Sequence, residues 1–104
     1  MTFVHEIREL LAAPQLGDAQ LLLARLDETL TTGYANALQL EAERWRIERR
    51  IGEVAAEAGQ DGAGCADELA SLARSLRSAN EEIATLRTLL SSLRDRRREL
   101  RRAA

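Results

Sequence analysis

Apolar residues recur along most of this chain at alternating steps of four and three. One run reads Ala19, Leu23, Leu26, Leu30, Gly33, Ala37, Leu40, Arg44, Ile47, Ile51, Val54, Ala58. A second reads Cys65, Leu69, Leu72, Leu76, Ala79, Ile83, Leu86, Leu90, Leu93, Arg97, Leu100, Ala104. Such heptads keep one seam of a helix turned toward a neighbouring helix, and no alternating strand pattern competes with them. The pattern predicts two long helices, about 18–58 and 65–103, with a turn over 59–64. A third, shorter helix is predicted over about 2–13, with Phe3, Val4, Ile7, Leu10 and Leu11 on one face.

The punctuation supports these limits. Pro14 and Gly17 bracket a reversal after the first helix, and Asp18 is placed to cap the second. Gly59 is placed to close that helix in a left-handed cap, and Gly62 and Gly64 loosen the turn. Asp67 and Glu68 then fall in the first turn of the last helix, where carboxylates complement the dipole.

So short a turn makes the two long helices antiparallel neighbours. Folding about it sets Ala58 against Cys65, and each seam layer then pairs residues whose numbers sum to 123. Leu40 meets Ile83, Ile47 meets Leu76, and the small Gly33 and Ala37 meet Leu90 and Leu86. Large facing small is what close packing requires. Arg44, opposite Ala79 and near Asn80, is expected to find a hydrogen-bond partner across the seam, whereas Arg97 is expected to extend its stem to the edge. The fold expected is all-α: a long antiparallel coiled-coil hairpin with a short N-terminal helix packed on its open end. Residues 1–104 are expected to form one helical domain.

Composition narrows the chemistry. Aromatics make up 3% of the chain, so an aromatic core is excluded and aliphatics must carry the packing. The formal charge of -2 hides an asymmetry. Residues 1–85 carry 8 Arg against 15 carboxylates, while 86–104 carry 7 Arg against Asp95 and Glu99. Every basic residue is Arg and none is Lys, a bacterial-like bias that GC-rich coding explains without a functional demand. Cys65 is the sole cysteine, so one chain can form neither a disulfide nor a thiolate metal cluster; it is expected to be a small buried seam residue. The first residues lack the basic leader and apolar stretch of a secretory signal, and no segment is apolar enough to span a bilayer. A cytoplasmic protein without membrane contact is the expectation.

Three features bear on function. Tyr34, Leu38 and Trp45 form a stripe beside the seam. The first helix, about 18 Å long, reaches only the level of residue 30 and cannot cover Trp45. Large apolar side chains left in water on a small protein mark a partner interface. At the other extreme, Arg94, Arg97, Arg98, Arg101 and Arg102 form a candidate anion-binding group near the C-terminal end. No aromatic residue interleaves them, and Asp27, Glu28, Glu6 and Glu9 lie within reach, so helix-end and ion-pair roles are favoured over nucleic acid. Around the turn, Glu53, Glu57, Asp61, Asp67 and Glu68 make an acidic tip. Such a hairpin resembles, in architecture alone, those that secondary-channel factors insert into RNA polymerase. Those factors carry a second domain and a loop pattern missing from this chain.

Catalysis has little to work with. The segment Glu41-Ala-Glu-Arg44 followed by Ile51-Gly-Glu-Val-Ala-Ala-Glu-Ala-Gly59 resembles the long first helix of the all-helical chorismate mutases. That resemblance implies arginines reading substrate carboxylates and a lysine one turn after Ile-Gly-Glu. Ala55 and Ala56 stand there instead, and the chain has no lysine. His5 is the only histidine, so no nucleophile–base pair or metal cluster can be assembled. No catalytic residue, cofactor or metal is expected. The expected function is a non-catalytic interaction or oligomerisation module of the adaptor, assembly-factor or chaperone kind. Its partner would be a second copy of the chain or another helical protein. The alternative is a regulator that binds RNA polymerase or nucleic acid through the acidic tip or the Arg-rich end.

Overall fold

A computed structural model describes residues 3–12, 19–59 and 64–103. Three helices account for all of these except Gly59 and Gly64: α1 (Phe3–Ala12), α2 (Ala19–Ala58) and α3 (Cys65–Ala103). Helices α2 and α3 pack against each other as an antiparallel hairpin, and α1 is the short N-terminal helix. The expected end of α2 at 58 and the expected limits of α3 hold, while the expected limits at 2, 13 and 18 lie outside the described residues. Pro14, Gly17, Asp18 and Asp61 lie outside the described residues, so the expected reversal and cap after α1 do too.

No proline falls inside the long helices, and their exposed positions are dominated by Ala, Glu and Arg, all good helix formers. Thr29, Thr31 and Ser92 donate their hydroxyls to the carbonyls of Arg25 (2.7 Å), Asp27 (3.0 Å) and Thr88 (3.2 Å), four residues back. These polar side chains therefore satisfy themselves on their own helix without breaking it. Asp67 and Glu68 occupy the first turn of α3, and Arg101 and Arg102 its last, as the dipole favours. Among the described residues the glycine with positive φ is Gly64 (83°), not Gly59. The conformation that only glycine adopts cheaply is needed where the chain enters α3, one residue before Cys65, and α2 ends without it.

The chain divides into two units. Met1–Ala37 with Thr85–Ala104 form the first, and Leu38–Ala84 the second. In the first unit three helices share a core. Ile7 and Leu10 of α1, Leu26 and Leu30 of α2, and Leu86, Leu90, Leu93 and Leu100 of α3 are all buried. Helix α1 runs back along α2, since Phe3 lies beside Gly33 while Glu6, Glu9 and Leu10 share a groove with Arg25 and Thr29.

Gly33 sits directly against Leu90, the layer that the sum of 123 requires. A methyl group added at Gly33 would overlap the Leu90 side chain and come within 3.6 Å of the Phe3 ring. That last contact corrects the expected reach of α1, which extends past residue 30. Side chains lean toward the N-terminus of their helix, so the Phe3 ring projects beyond the end of the α1 backbone.

The second unit has only two helices. Val54, Ala79 and Ile83 are buried, but Leu40, Ile47, Ile51, Leu69, Leu72 and Leu76 remain half-buried. Two helices cannot enclose a seam on all sides, and among the described residues this unit contains no third helix. Cys65 is likewise half-buried rather than buried.

Candidate functional site

Each of the three expected interface residues lies on α2. Tyr34, in the first unit, is 42% exposed; Leu38 and Trp45, in the second, are 67% and 59% exposed. A heptad seam at Ala37, Leu40, Arg44 and Ile47 leaves Leu38 and Trp45 on the flank of the helix, turned away from the buried layer. The Arg49 guanidinium lies over the Trp45 ring, 5.4 Å from its centre. This is a cation–π contact one helical turn along. It covers part of one ring face and leaves most of the indole in water. Leu21, 64% exposed, is a further large apolar residue that the seam pattern passes over, although its place two residues before Leu23 already puts it on the outer face.

Charged residues fasten both units. In the second, Arg50 of α2 binds Glu68 of α3 through Nε (3.0 Å) and Nη2 (2.9 Å) to a single carboxylate oxygen. Its Nη1 also approaches Glu53 (3.2 Å) and Glu57 (3.7 Å). Hydrogen bonding to Glu68 and then Glu53 holds the Arg50 guanidinium above its ordinary pKa. The tip acids Glu53, Glu57 and Glu68 are thus gathered by one arginine. The sequence reading missed it because Arg50 stands just before residues 52–72, a stretch without a basic residue. The available signal was geometric: Arg50 and Glu68 each immediately precede a seam residue, the positions that meet across one side of an antiparallel pair. Among the described residues, no group of acidic, His or Cys side chains is arranged to hold a metal ion.

Arg44 departs from expectation. Its ion pair is with Glu48 on its own helix (Nε to Oε1, 3.6 Å), not a hydrogen bond to Asn80, which is exposed. With only two helices at this layer the stem exits sideways over Ala79, and the nearest carboxylate there is one turn along α2.

In the first unit, three arginines of the expected anion-binding group are drawn into ion pairs. Arg97 leaves the seam and donates from Nη1 to Asp27 Oδ1 at 3.0 Å, the edge-seeking behaviour expected of it. Arg101 reaches the other oxygen of Asp27 at 4.0 Å. Arg98 pairs with Asp95 at 3.6 Å, while Arg94 and Arg102 are exposed. Arg96, outside that group, is the more covered residue. It pairs with Glu99 at 3.7 Å, and its Nε is buried without a hydrogen-bond partner among the described residues. On α1, His5 lies 3.0 Å from Glu9.

No protein-family model, curated protein or solved structure matches this chain. Among the described residues no helix is long and apolar enough to cross a membrane.

Proposed function

We propose that the protein is a non-catalytic interaction module whose working surface is the exposed flank of α2 around Leu38 and Trp45. The observation that carries this reading is the 59% exposure of the chain's single tryptophan, within a unit whose seam is already only half-covered. Burying a tryptophan and a leucine that water now surrounds is worth on the order of 1.5–3 kcal/mol for each side chain. Buried tryptophans also dominate the energetics of known interfaces. An isolated exposed leucine needs no explanation; a Leu–Trp pair on one face of an incomplete bundle does.

The alternative based on charge is weaker. Arg50 draws in Glu68 of α3 along with Glu53 and Glu57 of its own helix, and Asp27 draws in Arg97 and Arg101, so much of this charge is already paired within the chain.

Site-specific photo-crosslinking in cells tests the proposal. A photoreactive residue at Ala42, exposed on the Leu38–Trp45 flank, should give a discrete protein adduct. The same group at the exposed Ser78 should not. Equal labelling at both positions, or none at Ala42, would contradict it.

A further inference from the structure

We infer that the occupant of the Leu38–Trp45 flank is a second copy of this chain, in a twofold dimer that sets α2 of each copy on α3 of the other. The inference rests on the interaction reading above and names its partner. Its basis is complementarity between the two edges that the second unit presents on one side.

Arg50 and Glu68 close one side of the two-helix seam. In an antiparallel pair, the opposite side is lined by the residues that follow the buried layers. On α2 that edge carries Leu38 and Trp45, with Glu41 and Glu48 alternating between them at the same steps of three and four. On α3 the edge at the same heights carries Arg77, Asn80 and Ala84, all exposed. One edge is therefore bulky and acidic, and the other is small-residued and basic. An isologous contact made by rotating one copy about an axis along the helices brings unlike edges together twice. Leu38 of one copy then comes level with Ala84 of the other, and the Trp45 indole lies against the aliphatic stem of Arg77.

Register supports the same pairing. In the alignment that sets Arg44 opposite Ala79 and Ile47 opposite Leu76, Trp45 and Arg77 lie within one residue of the same height. A twofold axis along the helices preserves that height between copies. Arg77 of one copy then comes level with Trp45 of the other and falls between Glu41 and Glu48, one turn to either side. The Trp45 ring keeps Arg49 on its own chain at 5.4 Å and gains a second guanidinium nearby. Apolar burial supplies the affinity of such a contact, and the charges select which edge meets which.

The test is a charge exchange read by light scattering at tens of micromolar, with circular dichroism to verify helicity. The native chain should have the mass of two copies. Arg77→Glu should weaken the dimer about tenfold or more, since it faces carboxylates with a carboxylate at both contacts. Glu41→Arg combined with Glu48→Arg should do the same. Mixing these two helical but monomeric proteins should restore a dimer, because both contacts in the mixed species are again opposite in charge. A native monomer would overturn the second copy as partner, and the photo-crosslinking at Ala42 would then decide the broader reading alone. A native dimer dissociated by Leu38→Glu with Trp45→Glu, but indifferent to the charge exchange, would overturn the α2-on-α3 pairing and leave the flank as the interface. A dimer that survives Leu38→Glu with Trp45→Glu would overturn both.

Discussion

The two units use the same two helices with different results. In Met1–Ala37 with Thr85–Ala104, α1 supplies a third side, and the heptad layers of α2 and α3 become a closed core in which Leu26 and Leu93 have no exposed surface. In Leu38–Ala84 the heptads continue unbroken, yet Leu40, Ile47, Leu72 and Leu76 stay half in water. The sequence pattern does not distinguish the units, because leucine and isoleucine fill the seam positions of both. Only the number of helices around the seam differs. The second unit therefore keeps a half-buried apolar seam, flanked by an exposed leucine and tryptophan.

This contrast can be broken first by truncating a leucine in each unit. Leu93→Ala, at a site without exposure, should cost about 3–5 kcal/mol through lost burial and the cavity left behind. Leu76→Ala, half-buried, should cost about 1–2 kcal/mol, since its surroundings can relax and its surface is already partly hydrated. Urea unfolding followed by circular dichroism measures both. Equal losses would mean that the second unit encloses its seam as fully as the first.

Glycines give a second, sharper contrast. Gly33→Ala gains helix propensity of about 1 kcal/mol but must displace the buried Leu90 side chain, at about 1–3 kcal/mol. The expected outcome is a net loss of roughly 1 kcal/mol. At Gly52 an added methyl meets nothing within 4 Å, so Gly52→Ala should raise stability by about 0.5–1 kcal/mol. Denaturation midpoints should therefore move in opposite directions. A gain at Gly33 would contradict the Gly33–Leu90 layer on which the register stands.

The smallest effect concerns the charge that fastens the first unit. Asp27→Asn weakens the contacts with Arg97 and Arg101 and should cost about 0.5–1 kcal/mol at low salt, and less as salt screens the native pairs. A double-mutant cycle with Arg97→Met should show coupling of similar size. Zero coupling at low ionic strength would make this ion pair incidental.

Much of this architecture was legible before any coordinates, because two facing heptad runs leave few choices for how α2 and α3 meet. The Gly33–Leu90 layer is the clearest instance, since its size complementarity appears in the letters and its contact appears in the fold. Polar side chains were less legible. A seam position says where an arginine begins but not where its guanidinium ends. Arg97 reached the edge as its long stem allows, while Arg44 turned to Glu48 rather than toward Asn80. The role of Arg50 was hidden for the same reason: its three carboxylates come from two helices, and only their alignment brings them together. The exposure of Leu38 and Trp45 was readable from their offset to the seam. The covering of Trp45 by Arg49 follows from their four-residue spacing, and it reduces the exposed face without removing it.

Trp45 provides the most direct measurement of the central claim, because it is the only tryptophan in the chain and stands in the open unit. Its fluorescence can be followed from nanomolar to tens of micromolar protein, with acrylamide as quencher. The account predicts the red-shifted, readily quenched emission of an exposed indole in dilute solution. It also predicts a shift to shorter wavelength with loss of quenching as chains associate, and no such change in the Arg77→Glu variant. Emission that stays exposed and quenchable at every concentration, from a protein that light scattering finds to be a single chain, would contradict it.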